Sequence, residues 1–207
     1  MGPLLKIGTR RGGSAKLIID VLEENEDLAG RSMFCIDPYG NIELECTNLN
    51  ISKMCQRELI AADKTLDGDP DSKTETTSLR FDYNNDMRNQ TIPTLYYYAL
   101  SRGLNFTFFC LEDTEFFARY ADGVPVYDQF KKYENEYAFV FFDGPHINEA
   151  VKTEVEFFVP RSIIGTVFVF DDIWMYDHNE LIEPILFDNG FEIFEKAEVK
   201  ASYKKVK

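Results

Sequence analysis

Four apolar runs in this sequence end in a carboxylate: SMFCID (Ser32–Asp37), FTFFCLED (Phe106–Asp113), YAFVFFD (Tyr137–Asp143) and TVFVFDD (Thr166–Asp172). A fifth, LLKIG (Leu4–Gly8), runs into the glycine-rich turn GTRRGG. Asp143, Asp171 and Asp172 offer hard oxygen donors of the kind Mg²⁺ takes, with water or substrate completing its octahedron. Left unpaired, carboxylates crowded together raise one another's pKa, and a cation removes that conflict. The glycine turn allows backbone N–H groups close to a ligand, and Asp37, ending the next run, suits hydrogen bonds from ribose hydroxyls. The turn lacks both the GK[ST] of a phosphate loop and the GxGxxG of a dinucleotide site. Together with Asp37 it implies a nucleoside ligand, and the missing GxGxxG counts against a nicotinamide oxidoreductase. His146, three residues after Asp143, has the chemistry of a general base near neutral pH. A second reading has it orient Asp143 or cap the following helix, and Asp143 itself is an alternative base. Capping also competes for single acids, such as Asp113 ahead of TEFF. It explains neither the adjacent pair 171–172 nor DGPH. His178 is expected at the surface, and Trp174 either walls an acceptor site or packs.

The elements that must position these groups alternate. Strands are expected at Leu4–Gly8, Ser32–Asp37, Asn105–Asp113, Tyr137–Asp143 and Thr166–Asp171. Between them lie helix-like segments: 13–25, with Leu17, Ile18, Val21 and Leu22 on one face, then 90–103, TEFFARYA, NEAVKTEVEFFV and NELIEPILFDN. One or two closing strands follow, ending in the basic KASYKKVK, read as solvated. Runs such as FVFF and VFVF, apolar without alternation, mark central strands covered on both faces. The fold class is α/β: a Rossmann-like, doubly wound, mainly parallel central sheet with helices on both faces. In such sheets ligands bind outside the carboxyl ends of the strands, near the point where strand order reverses, so the acids and the glycine turn share one rim. Residues 41–89 form an irregular insertion in a single domain, 1–207. Its segment DKTLDGDPDSKTETTS (Asp63–Ser78) reads as an exposed loop, and FDYNND (Phe81–Asp86) as a candidate acceptor contact. TLYYYAL (Thr94–Leu100) reads as core on one face.

The 207 residues, 44% hydrophobic with 18 Phe and 11 Tyr, can bury a sizeable core. A net charge of −14 repels phosphate backbones, so no nucleic-acid partner is expected. No apolar run approaches the ~20 residues of a membrane span, and no signal peptide is visible. The four cysteines form no CxxC pair, which suits a reduced, cytoplasmic setting.

Five motifs, in order from Leu4 to about Trp174, resemble those of class I S-adenosylmethionine-dependent methyltransferases, specifically the small-molecule and sugar O-methyltransferases of the macrocin and catechol type. IGTRRGGSA resembles that family's first motif, CIDPYG its ribose acid and LEDTEFF its adenine-bordering segment. FFDGPHINEAV and VFVFDDIW are similar to its IDGxHxYExV and DD motifs. The resemblance implies that Gly8, Thr9, Gly12, Gly13 and Ser14 form the turn for S-adenosylmethionine. By the same likeness Asp37 holds the ribose, and Asp113 and Thr114 lie near the adenine. It also implies that Asp143, Asp171 and Asp172 hold Mg²⁺, with Asp143 and His146 at the chemistry. The acceptor would be a hydroxyl of a small polar molecule. Lys6 departs from the pattern, standing where the family usually has an acid. The family's N-terminal covering helices have no counterpart before the first strand, so cover is expected from 41–89, from a partner subunit of a homo-oligomer, or not at all. A competing expectation is an inactive methyltransferase fold that serves as a cofactor-binding or assembly module.

Overall fold

The apolar runs become strands in a computed structural model that describes residues 2–25, 28, 30–39, 42–46, 66–67, 78–83, 85–127 and 130–207. In chain order the elements are β1 (Leu4–Ile7), α1 (Gly13–Glu24), β2 (Met33–Ile36), β3 (Ile42–Cys46), β4 (Leu66–Asp67), β5 (Ser78–Tyr83), α2 (Asn85–Leu100), β6 (Phe106–Phe109), α3 (Asp113–Arg119), β7 (Val124–Tyr127), β8 (Lys131–Glu134), β9 (Tyr137–Phe142), α4 (Asn148–Phe158), β10 (Ser162–Phe170), α5 (Glu183–Asp188), β11 (Phe191–Lys196) and β12 (Ala201–Lys205). A seven-stranded sheet has the order β11-β12-β10-β9-β1-β2-β6. Its five strands from β10 to β6 pair in parallel, and β12 and β11 close the edge antiparallel. The expected mainly parallel, Rossmann-like sheet is thus present, and strand order reverses beside β1.

Strand alternation divides the core in two. Leu4, Met33, Cys35 and Phe106 pack with α1 and α2 through Ala15, Ile19, Leu22, Leu95 and Ala99. Leu5, Ile7, Phe34 and Ile36 pack on the other face with Phe116 of α3 and with Val151, Val155 and Phe158 of α4. The expected face of α1 is corrected here. Ala15, Ile19 and Leu22 turn inward, while Leu17 and Val21 are exposed. Ala15 is the small residue of that stripe, and placing it against the sheet leaves Leu17 and Val21 on the opposite side. Helix α2 starts five residues earlier than expected and buries Leu95 and Ala99 of TLYYYAL, with Tyr97 and Leu100 exposed. The hairpin β7–β8 was not anticipated.

The chain divides into two compact units, residues 1–38 with 90–207, and Tyr39–Asn89. Within the second, β3, β5 and β4 form a three-stranded antiparallel sheet. Most of Asp63–Ser78, and the side chains of Phe81–Tyr83, lie outside the described residues. No helix among the described residues is long and apolar enough to cross a membrane.

Candidate active site

At the carboxyl end of β1 the chain passes through Gly8 (φ +73°), Arg10 (φ +46°) and Gly12 (φ +80°) before entering α1. Gly8 is required by space as well as by φ: a Cβ there would lie 1.7 Å from the Asp143 carbonyl oxygen at the end of β9. Asp37 fastens this turn to β2. Its Oδ2 accepts from the N–H groups of Thr9 (2.8 Å) and Arg10 (2.7 Å), and the residue is buried. Helix α1 begins at Gly13 with no side-chain cap on its first turn. A Cβ on Gly13 would meet nothing within 4 Å. Uncapped N–H groups above an open approach are suited to an anionic group.

The strand ends bring the acids together with different partners. Strand β10 stops at Phe170, and Asp172 takes a left-handed conformation (φ +47°), so the pleat does not govern where Asp171 and Asp172 point. Asp171 Oδ2 accepts from Lys200 Nζ at 2.7 Å. Asp143 Oδ2 accepts from Lys6 Nζ, whose side chain is 1% exposed and lies 4.3 Å from the centre of the Phe141 ring. Asp172 Oδ1 accepts from the Trp174 indole at 3.3 Å. His146 Nε2 stands 3.7 Å from Asp172 Oδ2 and 4.0 Å from Asp143 Oδ1. Burial raises the Asp172 carboxyl above its ordinary range, against the lowering influence of His146.

The expected metal residues are thus each engaged by a different partner. Asp143, Asp171 and Asp172 do not form a cation cage, and no group of three or more His, Cys, Asp and Glu suited to a metal occurs among the described residues. The physical reason is that two ammonium groups already neutralise two of the three carboxylates. Lys6 has little access to water and depends on Asp143 Oδ2 for its charge partner.

His178 is also corrected: it is buried, not at the surface. Tyr203 O–H donates to Glu183 Oε1 (2.7 Å), so its oxygen accepts from His178 Nε2–H (2.8 Å). Nδ1 is then left to accept from Tyr176 O–H (3.2 Å). Burial is the main cause that lowers the His178 pKa from 6.5 to about 4. Beside this chain an open cleft of about 270 Å³ is lined by Trp174, Asp177, Asn179, Glu180, Lys196 and Glu198, among others.

At the start of α3, Glu115 accepts from the Glu112 N–H and so closes a capping box; the cap is Glu112 and not Asp113. Asp113 Oδ1 accepts from the Thr114 N–H (2.8 Å), while Oδ2 is buried without a hydrogen-bond partner. That orphaned oxygen has the chemistry to accept from an amino group such as adenine's. Three residues of this region escaped the sequence reading. Lys200 lies in a tail read as solvated, and Tyr176 had no motif around it. Glu154 was legible, because it stands three residues after Val151 and one before Val155 on the buried face of α4.

Fold and family together define a class I S-adenosylmethionine-dependent methyltransferase. The chain belongs to the methyltransferase-domain family, whose model matches residues 5–173. Among solved structures it is similar to CalS11, described as a calicheamicin methyltransferase, with TM-score 0.58 and 12% identity over 99% of this chain and 72% of that one. It is also similar to the O-methyltransferase NovP, with TM-score 0.53 and 15% identity over 100% of this chain and 73% of that one. No curated protein sequence matches it.

Proposed function

We propose that this enzyme transfers a methyl group from S-adenosylmethionine to a hydroxyl of a small, polar, sugar-like acceptor, without a divalent cation. The observation that carries the reading is the His146 imidazole, held between Asp143 and Asp172 at the strand-end rim. The cofactor supplies an electrophilic methyl on a sulfonium. The turn from Gly8 to Ser14, Asp37, Asp113 and Thr114 hold the cofactor, with the uncapped start of α1 facing its carboxylate. His146 takes the acceptor's hydroxyl proton as the oxygen–carbon bond forms and the sulfur–carbon bond breaks. The imidazolium so formed lies between two carboxylates. NovP, an O-methyltransferase with the same fold, supports oxygen as the methylated atom.

The test incubates the protein with S-adenosylmethionine and a panel of sugars, nucleotide sugars and phenols, in EDTA and in Mg²⁺, and follows S-adenosylhomocysteine. Turnover of a sugar hydroxyl that persists in EDTA is expected. Turnover restored only by Mg²⁺ would overturn the metal-free mechanism. Cofactor binding without turnover of any acceptor would favour the inactive-module reading.

A further inference from the structure

Glu154 is the charged residue that the proposed chemistry leaves without a task. It is 1% exposed, on the face of α4 that packs against the sheet. Its Oε1 is buried with no hydrogen-bond partner, and it points at the loop after β9: a Cβ on Gly144 would lie 2.8 Å from it and 3.0 Å from Ile7 Cγ2. The absence of a side chain at position 144 thus makes the space that the carboxyl fills. The other orphaned carboxylate oxygen of this region, Asp113 Oδ2, belongs to the group in contact with Glu154. The titratable groups that face Glu154 are Asp113 from α3, Asp143 from the end of β9 and Tyr176 from the segment after β10. None of them is basic. Two carboxylates cannot both remain charged in contact under such burial. Burial first, and then the charge and contact of Asp113, raise the Glu154 carboxyl well above its ordinary value.

We propose that Glu154 and Asp113 share a single proton, and that Glu154 is thereby a positioning residue that fixes the Asp113 carboxylate for recognition of the cofactor's adenine. The proton resides on Glu154, the more buried partner, which donates to Asp113. That contact, with Oδ1 tied to its own helix at Thr114, fixes the Asp113 carboxylate. The adenine amino group donates to the carboxylate so fixed. An apolar residue at 154 would leave Asp113 without the contact that orients it. A glutamine would keep a donor and lose only the titration. The inference rests on the placement of Asp113 in the cofactor site given above.

Binding of S-adenosylhomocysteine is measured by calorimetry for the wild type, Glu154→Gln and Glu154→Leu from about pH 6 to about pH 10, with thermal unfolding of each. Wild-type affinity is expected to hold at neutral pH and to fall as alkali ionises Glu154. Glu154→Gln stays within about threefold of wild type at neutral pH and loses the alkaline fall, and Glu154→Leu binds about tenfold more weakly throughout. Equal affinities for the Gln and Leu variants, or the same alkaline fall in all three proteins, would overturn the proposal. Failure of the wild type to bind at all would instead overturn the cofactor-site reading on which it rests. Infrared spectra of the ligand-free proteins give an independent check that needs only a folded chain. The wild type should show the carbonyl stretch of a buried protonated carboxylic acid that Glu154→Gln lacks, and absence of that band would also overturn the proposal.

Discussion

Removing either partner of the Lys6–Asp143 ion pair should have unequal consequences. The Lys6 side chain is 1% exposed and that of Asp143 is 26% exposed. Asp143→Asn leaves an ammonium buried among Leu4, Cys35 and Phe139, whose strand positions place them on its face of the sheet. Stranding one charge of a buried pair costs about 3–5 kcal/mol, and the Phe141 ring 4.3 Å away offsets about 1 kcal/mol of it. The expected loss is therefore about 3 kcal/mol. Lys6→Met keeps the length of the side chain and removes the charge that most needs a partner. It leaves a carboxylate that water can reach, so its expected cost is below about 1 kcal/mol. Urea unfolding at neutral pH, with the slope m held constant across variants, measures both. The same pair of variants reads the metal question. Wild-type protein should bind Mn²⁺ only weakly, and Lys6→Met, with Asp143 released beside Asp172, should bind it more tightly. Equal destabilisation by the two substitutions, or tight Mn²⁺ binding by the wild type that Lys6→Met does not improve, would refute the argument that Lys6 holds Asp143 against a cation.

His146→Ala should reduce turnover by about 10²- to 10⁴-fold while calorimetry shows cofactor affinity nearly unchanged; unchanged turnover removes His146 from the mechanism. Gly8→Ala puts a Cβ 1.7 Å from a backbone oxygen at a left-handed residue, so a stability loss above about 2 kcal/mol is expected by urea unfolding, with weakened cofactor binding. His178 is neutral when folded, its pKa lowered from 6.5 to about 4. Its contribution is present above pH ~6.5 and is lost as pH falls towards ~4, by about 3 kcal/mol in all. Unfolding of wild type and His178→Gln across that window should therefore converge in acid, and parallel curves would contradict the buried neutral imidazole.

The sheet was legible because its strands are short apolar runs that end in acids or glycines, a pattern set by burial on both faces. The rim was legible for the same reason: Asp37, Asp113, Asp143, Asp171 and Asp172 stand at or just beyond strand ends, where fold topology gathers them. What those acids touch was not legible. Lys200 reaches Asp171 from 29 residues away, out of a hairpin whose partner strand the sequence did not define. The face of α1 was misread because Leu17 and Val21 satisfy helical spacing as well as Ile19 and Leu22 do, and only the sheet selects between them. His178 looked like a surface residue because its burial depends on Tyr203, 25 residues on. Strands β7 and β8 carry lysines, tyrosines and a proline in four-residue pieces, too short and too polar for a pattern to show.

Lysines meet part of the crowding of acids at the rim. Three carboxylates face two ammonium groups, which leaves the charge of Asp172 beside His146. A sulfonium cofactor carries a positive charge that the reaction extinguishes at sulfur, while the acceptor's hydroxyl releases a proton. In the proposed reaction that proton goes to His146, so positive charge leaves the cofactor and reappears on an imidazolium between Asp143 and Asp172. Burial keeps the dielectric low around Asp172, and interactions with that charge are correspondingly stronger than in water. The lysines neutralise Asp143 and Asp171 and leave one negative charge where the proton has to be held.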